Sequence, residues 1–139
     1  MPLYQIVNQE GLLSDTQRAE IAAGVTDIHL DLAGGLRQFV NVVFQEYRTG
    51  LGFNAGIIGA PMVIAGNIRA GREQAVKTAM MEAISALVIR VSNISPKDLT
   101  VSIADVKASN AMEGGHVLPE PGEEAAWLAK VGPLLGLTK

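Results

Sequence analysis

MVIAGNIRAGREQAVKTAMMEAISALVIRVSNISPKDLTVSIADV, residues 62–106, decides the fold. Its first seven residues, Met62 to Ile68, form an apolar, β-branched run that reads as a buried strand. Arg69-Ala70-Gly71-Arg72 turns the chain, and a helix is predicted from Glu73 to about Val91. Ala75, Val76, Ala79, Met80, Ala83, Ile84, Leu87 and Val88 recur close to the 3.6-residue period and make its apolar face. Ser95-Pro96 breaks the helix, after which Leu99, Val101 and Ile103 alternate with Thr100, Ser102 and Ala104, a strand with one buried face. A strand–helix–strand unit of this length is long enough for its two strands to lie parallel.

The same order occurs upstream. Residues 3–8 are a strand candidate, and Ser14-Asp15 offers a helix N-cap. A helix to about Leu32 carries Ile21, Ala22, Val25, Ile28 and Leu32 on one face, and Ala33-Gly34-Gly35 ends it. Phe39 to Phe44 is the second strand of this unit. Gly11 stands before the first helix as Gly71 stands before the second, and Val42 and Phe44 match Val101 and Ile103. The chain is therefore predicted as one α+β domain, residues 1–139, with a unit at 1–48, a glycine-rich linker at 49–61 and a second unit at 62–106. The expected architecture has two layers: a four-stranded sheet with both helices on one face. That leaves the other face bare, which oligomerisation usually covers. Residues 107–139 are loop-rich, with a short helix over Glu123–Ala129 that holds the only tryptophan, Trp127; such a tail could wrap a neighbouring subunit or be a mobile terminus.

Composition removes several function classes. Hydrophobic residues make up 48% of the chain and charged residues 18%, with a net charge of −3, so no basic excess invites nucleic acid. Mean hydropathy is +0.26, apolar enough to suggest surface buried between subunits. No run approaches the roughly 20 apolar residues of a membrane span, and the N-terminus lacks signal-peptide character. With no cysteine and two histidines, disulfides are excluded, a protein-built zinc site is not expected, and a cytoplasmic setting is suited. The glycine-rich 49–61 segment lacks the Gly-Lys-Ser/Thr ending of a phosphate loop.

Pro2 is the residue with unusual chemical potential. Removal of Met1, which small second residues permit, would leave a secondary amine at the start of a strand, able to take or give a proton or to attack a carbonyl. Its pKa would respond to burial and neighbouring charge. A proline at this place can also simply protect the terminus.

The opening Met1-Pro2-Leu3-Tyr4-Gln5-Ile6-Val7, the duplicated β-α-β unit and the Arg69-Ala70-Gly71-Arg72 turn together resemble the tautomerase superfamily. The chain is most similar to its cis-3-chloroacrylic acid dehalogenase group, in which both units lie on one chain, and the likeness runs from Pro2 to about Trp127. Thr26-Asp27-Ile28-His29, Phe44-Gln45-Glu46 and Leu118-Pro119-Glu120-Pro121-Gly122 agree in order and spacing. The resemblance implies that Pro2 is the acid or base, that Arg69 and Arg72 anchor a substrate carboxylate, and that His29 bonds a substrate oxygen. It also makes Glu113 a candidate for directing water or tuning Pro2. Taken alone, the arginines could be solvated turn residues, His29 a helix-dipole partner, and Glu113 a solvated loop carboxylate. His116 matches no role, and Asp105 stands where the group has a glutamate. Tyr4 could line the pocket, although packing is the commoner use of such a residue. One departure is informative: Ser102 replaces the tyrosine that works with the glutamate on water, so that machinery looks incomplete.

The expected activity is enol–keto tautomerisation of a small unsaturated or α-keto carboxylate, with no metal or organic cofactor and, by resemblance, in a homotrimer. The alternatives are a dehalogenase or hydratase acting on 3-haloacrylates, with Pro2 as a cationic acid, and a binding protein on the same scaffold.

Overall fold

The computed structural model describes residues 1–137; Thr138 and Lys139, the end of the predicted tail, lie outside the described residues. Strand β1 (Leu3–Gln9) leads into helix α1 (Asp15–Ala33) and strand β2 (Asn41–Tyr47). After a hairpin, β3 (Phe53–Asn54) and β4 (Ile57–Ile58), the order returns as β5 (Met62–Arg69), α2 (Gln74–Ser92) and β6 (Leu99–Val106). A second hairpin, β7 (Met112–Glu113) and β8 (His116–Val117), precedes helix α3 (Glu124–Val131).

The main sheet runs β2-β1-β5-β6. Each unit pairs its own two strands in parallel, and β1 meets β5 antiparallel at the centre, with Ile6 opposite Ile64. The predicted α+β architecture, a four-stranded sheet with two helices on one face, is what the chain adopts. Ser14 caps α1 in a capping box: its hydroxyl accepts from the Gln17 N–H, and the Gln17 side chain accepts from the Ser14 N–H at 2.9 Å. Asn93, in the left-handed region at φ 56°, closes α2. Tyr4, Ile6, Ile64 and Ile68 of the sheet are fully buried against Ile21, Val25, Met80, Ile84 and Val88 of the helices. On the opposite face Val43 and Val63 remain about half exposed.

Three expectations shift. The second strand begins at Asn41 rather than Phe39, because pairing starts where the Asn41 N–H donates to the Pro2 carbonyl. Phe39 belongs instead to a 3-10 turn and meets Trp127 edge to face at 6.0 Å. The 49–61 segment is more than a linker, since it folds into the β3–β4 hairpin through Ala55-Gly56, both at positive φ, as Gly114-Gly115 do in the later hairpin. Two-residue strands are too short for alternation to show in sequence. Finally, the tail folds over its own chain: the Gly71 position leaves room for Pro121, whose Cγ would lie 2.7 Å from an added Cβ. Among the described residues, no helix is long and apolar enough to cross a membrane.

Candidate active site

The start of β1, the end of β5, the last turn of α1 and the tail surround one cavity. It is lined by Pro2, His29, Arg69 and Arg72, together with Phe39 and Trp127. Local structure explains each placement. Pro2 is fixed at the head of β1 by its carbonyl bond to Asn41. Arg69 is the last residue of β5, and the turn that follows brings Arg72 back beside it.

The Arg72 guanidinium donates to the Arg69 carbonyl at 2.7 Å and to the Ala33 carbonyl at 3.1 Å. Ala33 ends α1, where the helix dipole is negative, so a cation that is poorly placed at the start of α2 is well placed at the end of α1. Burial, and next the neighbouring Arg69, lower the Arg72 pKa. Arg69 donates one fork nitrogen to the Pro119 carbonyl at 2.7 Å and the other to the Glu124 carboxylate at 2.6 Å. That contact, the leading cause, holds Glu124 below the usual carboxylate range.

His29 is 2% exposed. Burial first, then Arg72 and the terminal amine, lower its pKa to about 4, so the ring is neutral near pH 7. Its Nδ1 lies 2.8 Å from the Tyr4 hydroxyl. Tyr4 is completely buried, and its pKa is raised by that burial. Its hydroxyl has no other partner among the described residues, so the phenolic proton goes to Nδ1. The imidazole hydrogen then resides on Nε2, leaving a donor for the cavity. Gly66 makes the arrangement possible: an added Cβ would lie 2.7 Å from the Tyr4 ring.

The terminal amine, carried here by Met1, pairs with Glu113. Its pKa is nonetheless lowered to about 6, by burial first and by Arg69 second. Pro2, His29, Arg69 and Arg72 are thus brought together, with Glu113 reaching the site through the amine. His116 sits opposite Glu113 in the β7–β8 hairpin, outside the cavity wall. Asp105 pairs with Lys77 at 2.8 Å. Ser102 is exposed on β6 and does not line the cavity. No group of three His, Cys, Asp or Glu side chains able to hold a metal occurs among the described residues.

Sequence reasoning missed Glu124, Phe39 and the apolar wall. The signal was the Leu118–Gly122 stretch followed by the sole tryptophan, which was read as a tail because its docking depends on contacts some 50 residues away in the chain. Tyr4 was weighed mainly as a packing residue; it packs, and it also orients His29.

Comparison with known proteins agrees with this fold. The family model described as a putative oxalocrotonate tautomerase enzyme matches residues 1–130. The crystal structure of N1, a member of the cis-3-chloroacrylic acid dehalogenase family, is 32% identical; the match covers 96% of this chain and 94% of that one, with a TM-score of 0.88. The crystal structure of native Ps01740 is 37% identical over 80% of this chain and 99% of that one, at a TM-score of 0.79. A fused 4-OT symmetric trimer shares the fold at 19% identity, covering 84% of this chain and 94% of its own, at a TM-score of 0.76. No curated protein matches the chain.

Proposed function

The chain belongs to the putative oxalocrotonate tautomerase family, on the cis-3-chloroacrylic acid dehalogenase-like side of the tautomerase superfamily, and from that premise we propose that it is an enol–keto tautomerase working through the amine of Pro2. One observation carries the reading: the beginning of the chain, two arginines and a neutral histidine share a single cavity.

Loss of Met1 gives Pro2 a secondary amine in the same cavity. The apolar wall and the Arg69 and Arg72 cations that share its cavity favour the neutral base. The substrate's carboxylate is held by Arg69 and Arg72 through charge-assisted hydrogen bonds, the first of them exchanging Glu124 for substrate. Pro2 takes the enol hydroxyl proton, and the O–H electron pair stays on the oxygen as an enolate. His29, through Nε2–H, steadies the negative charge on that oxygen. The C=C electron pair then takes the proton from the Pro2 ammonium at carbon as the oxygen closes the carbonyl, which restores the neutral amine. The half-exposed Val43 and Val63 on the helix-free sheet face, together with the fused 4-OT neighbours that are trimers, support a homotrimer. Sedimentation as a monomer would contradict it.

A second reading has a specific observation in its favour: Glu113 contacts the terminal amine and could direct water, as hydration or dehalogenation of a 3-haloacrylate requires. There Pro2 would act as a cationic acid. Ser102, exposed and away from the cavity, gives Glu113 no tyrosine-like helper.

The test begins with intact mass, which is expected to show Met1 removed. Pro2→Ala is expected to slow ketonisation of phenylenolpyruvate by roughly 10²–10⁴-fold, the usual worth of a positioned acid–base group. Rapid Pro2-dependent halide release from cis- or trans-3-chloroacrylate would move the chain to the second reading. Retained Met1, or no Pro2-dependent turnover, would favour a binding protein on this scaffold.

A further inference from the structure

Beyond the arginines the cavity changes character. Leu36, Phe39, Leu118, Trp127 and Leu128 make its remaining wall, and the only acidic side chain among its lining residues is Glu124. Apart from the chain's own amine, Arg69 and Arg72 are the only cations among the described residues that line it. Lys130, carried on the same helix as Trp127, lines a shallow outer groove instead. Arg37, next to Leu36 in sequence, is exposed and turned to Asp27 at 2.5 Å.

A substrate with one carboxylate on the arginines therefore projects its other end onto apolar surface. The wall is also tied together. Phe39 and Trp127 meet edge to face at 6.0 Å, and the Trp127 indole N–H is already spent on the Val117 carbonyl at 2.7 Å. Neither ring can offer a hydrogen bond to a polar substrate tail. Glu124 is bonded to Arg69 and, through its other oxygen, to the Gly122 N–H at 2.8 Å, so its charge stays at the cavity edge even when substrate takes its place on the Arg69 fork. A second carboxylate would lose water against this wall, gain no cation, and face a like charge.

We propose that Glu124 and the Phe39–Trp127 wall are specificity determinants that select monocarboxylates with an aromatic or branched apolar tail and reject dicarboxylates. The inference rests on the reading that Arg69 and Arg72 hold the carboxylate. It separates this chain from the substrate type that the oxalocrotonate tautomerase family name suggests. Glu124 has a double action. It repels a distal anion, and it competes with every incoming carboxylate for the Arg69 fork. Apolar contact by the tail supplies the binding energy needed to displace it.

Calorimetric binding to the Met1-processed full chain tests this without turnover, using 3-phenylpropanoate and adipate as unreactive probes. Wild type is expected to bind 3-phenylpropanoate at least tenfold more tightly than adipate. Glu124→Lys is expected to shift the ratio at least tenfold towards adipate, and Glu124→Gln to shift it in the same direction by less. Trp127→Arg, which breaks the wall without touching Glu124, is expected to weaken 3-phenylpropanoate selectively. Equal binding of the two acids by wild type, or a ratio unmoved by all three variants, overturns the proposal. A preserved preference alongside absent Pro2-dependent turnover would sink the tautomerase reading and leave the selectivity standing. Failure of both acids to bind would overturn the selectivity and the carboxylate anchor together.

Discussion

The two β-α-β halves bury the same three places of their helices: Ile21, Val25 and His29 in α1, and Met80, Ile84 and Val88 in α2. Counted from each helix start, the positions coincide, so His29 stands where the second half keeps a valine. The turns before the helices diverge in the opposite sense. Aligned on Gly11 and Gly71, both at positive φ, Gln9 and Leu12 of the first half face Arg69 and Arg72 of the second. The hairpins differ too, with Asn54 where the second has Glu113. Duplication thus supplies a symmetric skeleton, and chemistry arises where the halves stop matching. One half contributes the chain start and the histidine, the other the cations and the carboxylate. Neither half alone holds a complete set.

Erasing these differences one at a time tests the idea. The largest effect is expected from Arg72→Leu, which gives the second turn the residue of the first. Loss of charge-assisted bonds worth about 1.5–3 kcal/mol each predicts a fall in kcat/KM of roughly 10²-fold or more, read by steady-state kinetics with a carboxylate substrate. Circular dichroism should show the fold retained.

Next comes the paired change Tyr4→Phe with His29→Val, which restores the apolar character of the second half. In wild type the folded-state pKa of His29 lies at about 4, below the usual value of 6.5. Between those values the unfolded chain binds the proton and the folded chain does not, so stability rises with pH across that window and is lost as pH falls through it. The difference is on the order of 3 kcal/mol at most. Urea unfolding at pH 4 and pH 7 should show this dependence in wild type and a much smaller one in the double variant. An unchanged pH dependence would dissociate His29 from it.

Gly66→Ala acts on the same pair more gently. Its Cβ would lie 2.7 Å from the Tyr4 ring, which is completely buried. A destabilisation of about 1–3 kcal/mol is expected from overpacking, with activity falling further than stability explains because His29 loses its orientation. The smallest effect concerns Asn8, aligned with Ile68 of the other half. Its Oδ1 is buried without a hydrogen-bond partner among the described residues, while its amide nitrogen donates to the Gln9 carbonyl at 3.0 Å. Asn8→Leu should raise stability by up to about 1 kcal/mol in thermal unfolding, since removing an unsatisfied acceptor outweighs one modest bond.

A separate sharpening uses the amine. If Pro2 is the base, kcat/KM rises with pH through the range in which its amine loses its proton. If it is the acid of a hydration, the activity falls across its titration instead. The pH–rate profile of the processed enzyme distinguishes the two.

The sequence by itself determined the skeleton: two strand–helix–strand units, the capping residue of α1, the faces of both helices and the four-stranded sheet with both helices on one face. These are periodic signals, read within one element, and burial follows them directly. It also made Pro2, His29, Arg69, Arg72 and Glu113 legible as candidates, through motifs shared with a known family. Tertiary structure alone decided what those residues meet. The Tyr4–His29 hydrogen bond joins residues 25 positions apart, and the Arg69–Glu124 bond joins residues 55 apart. Nothing in local periodicity encodes such pairs. Nor did alternation reveal that the tail closes over the cavity, because Phe39 and Trp127 obey no repeat and lie far apart in the chain, and they meet only in the folded chain.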